Sequence, residues 1–198
     1  MQNSGFDKLI NSFTKIPTVG LKTAERYAYS IINMSEEDVD NFAKNLLYVK
    51  KNIHYCKTCG NWTVEDNCEI CRSRKSDIIC VVKEPKDIVN FENIKDFKPL
   101  YHVLHGTISP LKNIGPDDIT IKELLLRLSS KDIKEVVLAL GTDVESEATC
   151  NYLLKILKCY DVKVSRLAQG ISMGSNIEYV DSATLSRALL DRKIISDN

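Results

Sequence analysis

The sequence predicts a chain of several parts: an N-terminal region of helices, a small four-cysteine segment, an α/β domain with a mostly parallel sheet, and a C-terminal helix with a tail. Three observations carry this. Apolar residues recur at helical spacing through the first 53 positions, two Cys-x2-Cys pairs follow, and from Ile78 short apolar runs alternate with helix-like segments. The segments divide at 1–53, 54–75, 76–172 and 173–198, and a 198-residue chain has room for one core and a small satellite.

Hydrophobic residues make up 43% and charged residues 27%, as in ordinary globular proteins, and the formal net charge is +0. No global field therefore draws the chain to a polyanion or an anionic membrane, and any such binding has to come from local placement of charge. The longest strand-like apolar runs, Ile78–Val82 and Val136–Leu140, fall far short of a membrane span of about 20 residues. The start of the chain lacks a basic region followed by an apolar stretch, so no secretory signal is expected. Seven cysteines, an odd number, argue against a disulfide framework and for the cytoplasm.

Phe6, Leu9, Ile10 and Phe13 follow i, i+3, i+4, i+7 and predict an amphipathic first helix. It ends at Ile16-Pro17-Thr18-Val19-Gly20, because Pro17 disfavours helix at Ile16 and Gly20 permits positive φ. A second helix starts near Leu21 or Lys22 and runs to about Asn33. Ser35 with Asp38 marks the N-cap of a third, expected to bury Val39, Phe42, Ala43, Leu46 and Leu47. Beyond the cysteines, strands are expected at 78–82, 101–104, 135–140 and 162–167. Helices are expected at 86–91, 119–128, 146–160 and 183–190. The Gly- and Pro-containing stretch from His105 to Asp118 is long for a connector and is a candidate functional loop.

The cysteines read Cys56-x2-Cys59-x8-Cys68-x2-Cys71. Each close pair lets two thiolates reach one ion, and two pairs complete a tetrahedral all-sulfur site that favours structural Zn²⁺ and leaves no position for a catalytic water. Gly60 follows the first pair, where such a knuckle needs positive φ. Cys80, Cys150 and Cys159 are expected to be small buried hydrophobes.

The turn at 17–22 has the outline of a helix-hairpin-helix, which aims backbone N–H groups and a helix N-terminus at a phosphate. Gly20, Lys22 and Arg26 are the candidate DNA-binding residues, the last two being four apart on one helix face. An ordinary turn with two solvated cations is the rival reading. In the α/β region, two acidic groups fall at the carboxyl ends of strands: Glu84 with Asp87, and Asp143 with Glu145 and Glu147. Glu145 and Glu147 could hold Mg²⁺ through oxygen ligands, or Glu147 could simply favour the dipole at the start of a helix.

The order of these segments resembles the RecR family of bacterial recombination mediators, over essentially the whole chain. The residues that carry the resemblance are Ile16–Arg26, the four cysteines, Ile79–Asp87, Tyr101–Pro110 with Ile114–Asp118, Val144–Thr149 and Thr184–Arg187. The resemblance implies a helix-hairpin-helix, a zinc finger, a Toprim domain and a C-terminal tail serving oligomerisation. It further implies a homo-oligomer, dimer or tetrameric ring, that encircles single- or double-stranded DNA in the bacterial nucleoid. Such proteins act with RecO and RecF in promoting RecA loading at single-stranded gaps. By this likeness Lys22 and Arg26 match DNA-contacting positions, and Glu84, Asp87, Asp143, Glu145 and Glu147 match the partner-binding Toprim surface.

Three departures stand out. The family turn usually reads Pro-Gly-Val-Gly-Pro-Lys, and here Thr18 and Leu21 replace a Gly and a Pro. Lys83 occupies the position where Toprim enzymes carry a glutamate, and the acidic pair of those enzymes appears as Glu145-Ser146-Glu147. A protonated lysine cannot ligate Mg²⁺ and repels one nearby, so a non-catalytic protein is expected. The alternatives are a Mg²⁺-dependent Toprim nuclease or topoisomerase-like enzyme, and a zinc-stabilised adaptor with little DNA affinity of its own.

Overall fold

A computed structural model describes residues 4–130 and 132–195. Residues 1–3 and 196–198, at the ends of the first and last expected segments, lie outside the described residues. The chain divides into two compact units, one ending at Ile53 and the other beginning at His54.

The first unit contains α1 (Ser4–Phe13), α2 (Leu21–Ile32) and α3 (Glu36–Asn52). α1 and α2 pack through Ile10, Ala24 and Ala28, with Phe6, Leu9, Phe13 and Val19 around them. The two alanines are small enough to let the helices approach closely, and both are fully buried. Two sequence expectations are corrected here. Gly20 is extended (φ −79°, ψ 168°) as the N-cap of α2, and the positive φ of the turn falls on Thr18 at 69°. The turn needs its left-handed residue two positions earlier, where the family usually carries Gly.

The third helix also departs from expectation. Ser35 caps it, accepting from the Asp38 N–H at 3.1 Å. None of its residues is buried, however, and Phe42 and Leu46 are 48% and 57% exposed. The amphipathic pattern is real, but the small α1–α2 core is already closed without it, so the apolar face of α3 has no cover within this unit.

The second unit holds a four-stranded, all-parallel sheet in the order β4-β3-β5-β6, built from β3 (Ile78–Val82), β4 (Leu100–Val103), β5 (Glu135–Ala139) and β6 (Lys163–Arg166). Successive side chains of a strand face opposite sides, and β3 shows it. Ile79 and Val81 join Leu124, Leu128, Leu153 and Leu157 from α6 (Ile121–Ser130) and α7 (Val144–Leu157). Cys80 and Val82 join Tyr101, Val103 and Ile88 of α5 (Pro85–Glu92). Burial on both faces explains the unbroken apolar runs of β3 and β5. Cys80 and Cys150 are buried as expected. Cys159 is exposed, because it sits just past the end of α7 in the turn before β6 and no longer faces the core.

Chain order reverses on either side of β3, which places the topological switch point at the carboxyl ends of β3 and β5. Lys83, Glu84 and the 140–143 turn lie there.

The left-handed conformation costs a branched residue such as Thr about 1–2 kcal/mol, partly offset for Gly by its larger unfolded-state entropy. Thr18→Gly is expected to stabilise the first unit by up to about 1 kcal/mol. Hydrogen exchange at the α1 and α2 amides should slow by up to roughly fivefold; unchanged exchange would remove the strain assigned to Thr18.

Candidate metal centre and nucleic-acid interface

The segment after Ile53 is too short to build an apolar core, and its interior is sulfur instead. Strands β1 (His54–Tyr55) and β2 (Trp62–Thr63) pair antiparallel and flank the first cysteine knuckle. The Gly60 N–H donates to the Cys56 carbonyl at 2.9 Å, with Gly60 at φ 78°, as the spacing predicts. The second pair rides on the short helix α4 (Glu69–Ser73), with Cys68 as its N-cap and Cys71 within it. Ligand atoms of all four cysteines lie within 4.8 Å of one another, and Cys59 Sγ and Cys68 Sγ are 3.5 Å apart. A tetrahedral ion with metal–sulfur bonds of ~2.3 Å requires sulfurs roughly 3.8 Å apart, so the cluster fits Zn²⁺.

Two backbone N–H groups point at sulfur, Asn61 at Cys59 Sγ (3.5 Å) and Cys68 at Cys56 Sγ (3.3 Å), a pattern that favours thiolates. Hydrogen bonding with Cys68 and Cys71, together with burial, raises the Cys59 thiol above its ordinary value, while the hydrogen bond from Cys59 lowers that of Cys68. Four sulfurs at this spacing therefore do not all ionise by themselves, and a divalent cation is the natural source of compensating charge. Held by Cys56, Cys59, Cys68 and Cys71, Zn²⁺ would supply folding energy and no open coordination position.

This finger is docked onto the sheet. The Val103 N–H of edge strand β4 donates to the Cys59 carbonyl at 2.8 Å, and Ile70 of α4 packs against the α5-side core. A Cβ on Gly60 would meet His105 Nε2 at 2.7 Å and Val103 at 3.2 Å, so only glycine permits that approach. Arg74, just past the finger, forms a two-point ion pair with Glu92 at 2.7 Å and 2.7 Å, and the Tyr101 hydroxyl donates to Glu92 at 2.7 Å. The Arg74 guanidinium lowers Glu92 to about 2. Behind β4, Arg127 of α6 is buried and donates through Nη1 to the Tyr101 carbonyl (2.6 Å) and to His102 Nδ1 (3.2 Å). Burial, with the Arg127 charge, lowers His102 to about 3, so the ring is neutral and its Nε2–H donates to the Thr120 carbonyl at 2.7 Å. No pattern in the sequence assigned a role to Arg74, Arg127 or Glu92, since their partners lie 9 to 26 residues away along the chain.

In the first unit, Lys22 and Arg26 are exposed on the side of α2 opposite buried Ala24 and Ala28, and Gly20 is exposed beside them with nothing within 4 Å of an added Cβ. The turn therefore leaves open approach to the α2 N-terminus, with two cations on the adjoining face. No ion pair engages either cation among the described residues.

The strand-end acids are brought near one another in the chain but are used separately. Glu84 caps α5 in a reciprocal capping box with Asp87, whose carboxylate accepts from the Glu84 N–H at 2.8 Å. Asp143 caps α7, accepting from the Ser146 N–H (3.0 Å) and hydroxyl (2.8 Å). Glu145 turns toward the 105–118 loop, accepting from Ser109 Oγ at 2.7 Å and pairing with Lys112 at 3.1 Å. Glu147 turns the other way, to Arg166 (3.2 Å), Arg187 (3.3 Å) and Gln169 (3.3 Å). Arg187 belongs to α8 (Ser182–Leu190), so this carboxylate latches the C-terminal segment to the sheet domain. Among the described residues, the four cysteines form the metal-capable cluster of three or more ligands, and these acids do not converge into another.

The geometry has counterparts. Residues 6–49 match the RecR helix-hairpin-helix, 53–73 the RecR four-cysteine zinc finger domain, 77–168 the Toprim domain and 170–193 the RecR C-terminal domain. A protein named Recombination protein RecR from Clostridium perfringens (strain ATCC 13124) is 49% identical over 191 residues, 96% of each chain. The chain belongs to the RecR family. Proteins of the same name from Streptococcus gordonii and Latilactobacillus sakei are each 48% identical, covering 93% and 95% of this chain and 94% and 96% of their own. The RecR zinc finger is thus placed at the four-cysteine cluster, and the RecR Toprim domain at the parallel sheet, as the resemblance implied. No helix among the described residues is long and apolar enough to cross a membrane.

Metal removal is expected to act on the whole second unit. Strong chelation or Cys68→Ser should release about one zinc per chain and expose the β4 edge, read as lost hydrogen-exchange protection at Val103; protection that survives complete zinc loss would show the finger folding on its hydrogen bonds alone.

Glu92 supplies a pH test. Its folded value of about 2 lies below the unfolded value of about 4.3. Its stabilising contribution is therefore present above about pH 4.3 and fades as pH falls toward 2. Acid unfolding followed by circular dichroism should begin within that window, and Glu92→Gln should flatten the pH dependence there while lowering stability at neutral pH.

Proposed function

We propose that this RecR-family protein is a non-catalytic mediator of recombinational repair, which binds DNA as a ring-like homo-oligomer and acts with RecO and RecF to promote RecA loading at single-stranded gaps. The observation that carries the reading is the fate of the strand-end carboxylates. Glu145 is held by Ser109 and Lys112, Glu147 by Arg166 and Arg187, and Lys83, just past the end of β3, lines a groove with Glu145. A Mg²⁺-dependent nuclease or topoisomerase needs those carboxylates converging on one ion. In this chain the Toprim surface serves structure and partners instead.

DNA contact is assigned to Gly20, Lys22 and Arg26, where an open helix N-terminus and two cations meet phosphates without reading bases. The uncovered apolar face of α3, with Phe42, Leu46 and Leu47, supports self-association, since a face of this kind is rarely left to water. A groove of about 560 Å³ at the switch point is lined by Lys83, Lys112, Glu145 and apolar residues. Leu111 and Val144 on its walls are 97% and 85% exposed, which supports a protein partner there, RecO by the family likeness. The formal net charge of +0 favours a second reading, an adaptor that is recruited by partners and has little DNA affinity of its own.

The Lys22→Ala/Arg26→Ala protein separates the two. For the mediator, binding weakens equally across sequences and the logarithmic salt slope flattens by roughly 1.5 for two lost phosphate contacts. An unchanged slope moves the DNA contact elsewhere, and an absence of binding by the wild type selects the adaptor. Light scattering on the same samples should show an oligomer that Leu46→Glu weakens. DNA cleavage or relaxation that scales with protein and disappears in Glu145→Ala would overturn the non-catalytic assignment.

A further inference from the structure

The finger carries an aromatic surface that neither its metal nor its docking onto the sheet requires. Tyr55 and Trp62 are direct cross-strand partners in the β1–β2 hairpin, so both rings project from the same face. They are 56% and 53% exposed. In a segment whose interior is four sulfurs, two large aromatic side chains would be expected to supply what apolar core there is, and these two are outside it. The Tyr55 ring also continues into a cavity. His105, just past the end of β4 with φ 59°, sets its ring 4.1 Å from that of Tyr55.

The cavity, about 240 Å³, is lined by Tyr55, Lys57, Thr58, His105 and Glu123 among others. It is smaller than the ~300–1,000 Å³ of drug-sized sites and suits one planar ring. Its electrostatics choose which part of a nucleic acid enters. Lys57 is already paired with Asp66 at 2.9 Å, and Glu123 adds a carboxylate to the wall. A phosphate is repelled from such a pocket. A base edge is not, because its amino and ring N–H groups can donate to Glu123 while its face lies on the aromatic rings. Double-stranded DNA keeps its bases stacked on one another and offers no free face.

We propose that Tyr55 and the adjoining His105–Glu123 pocket bind an unpaired base of single-stranded DNA, with Trp62 as a second stacking platform for a neighbouring base. The inference rests on the DNA-binding function proposed above and extends it to a site separate from Lys22 and Arg26. The helical hairpin then holds backbone in either DNA form, and the finger distinguishes single strands by their exposed bases. The rings are rigidly presented because the knuckle beneath them is fixed by the cysteine cluster and by the Cys59–Val103 hydrogen bond.

The test uses the full zinc-loaded chain, a single-stranded oligonucleotide containing 2-aminopurine, and the duplex of the same sequence. Wild-type binding should quench 2-aminopurine fluorescence as the base stacks. Tyr55→Leu and Trp62→Leu should each weaken single-strand binding by roughly tenfold, the scale of one lost base–aromatic stack. Tyr55→Phe should retain affinity, and duplex binding should follow none of the three. Zinc content, measured on every variant, shows whether the finger is intact. If Tyr55→Leu loses zinc, Trp62→Leu carries the comparison. Single-strand affinity equal to wild type in a zinc-loaded Leu variant, or equal losses on single strand and duplex, overturns the stacking site and leaves the mediator reading standing. Failure of the wild type to bind either DNA overturns both.

Discussion

The four-sulfur cluster is the constraint on which the second unit depends. Between Ile53 and the first strand of the sheet there is too little apolar side chain to hold a fold, and Cys56, Cys59, Cys68 and Cys71 take its place. What makes the cluster more than a local staple is the position of the knuckle. The carbonyl of Cys59 receives the Val103 N–H, so the loop that would hold the metal also bonds to the edge of β4. A parallel sheet whose edge is left bare exposes unpaired backbone groups to other chains. Here the loop that carries the first cysteine pair also bonds to the edge at Val103, and Gly60 is needed where the two meet.

Around that contact lies a second layer of charge. Arg74 and Glu92 tie the end of the finger to α5, and Arg127 reaches from α6 to the backbone of β4. Buried cations are costly unless charge and hydrogen bonds offset the loss of water. For Arg127, burial lowers the tendency to hold its proton, and the charges of the four cysteines, Cys71 foremost, oppose that. Through the Cys59–Val103, Arg74–Glu92 and Arg127–Tyr101 bonds the finger, the edge strand and the helices behind it are tied to one another.

At the other end of the sheet the carboxylates have been drawn into structure. Glu84 and Asp143 start helices, Glu145 secures the long loop through Ser109, and Glu147 fastens α8 through Arg187. The Toprim scaffold thus carries its strand-end acids as clasps between segments of the chain. The C-terminal segment is fastened by this arrangement, with Arg187 of α8 bonded both to Glu147 at 3.3 Å and to Gln169 at 2.7 Å.

Much of this architecture was legible in the chain itself. The strand at Ile78–Val82 follows from a buried apolar run and falls where expected, whereas the helix expected at 146–160 runs Val144–Leu157, started by an Asp143 cap that spacing did not single out. The metal ligands were legible because a knuckle is defined within four residues, and Gly60 has the positive φ its position implied. Tertiary structure decided what spacing cannot encode. It left the apolar stripe of α3 bare, because periodicity shows which face is apolar and says nothing of whether a partner lies against it. It moved the left-handed residue of the turn from Gly20 to Thr18, because turn geometry depends on how α1 and α2 pack. It separated Glu145 from Glu147, two positions apart in sequence but about 200° apart around a helix of 3.6 residues per turn. Sequence alone determined the parts and the four-cysteine cluster, since those depend on neighbours along the chain; the direction of each carboxylate was settled only by partners that folding brings from distant segments.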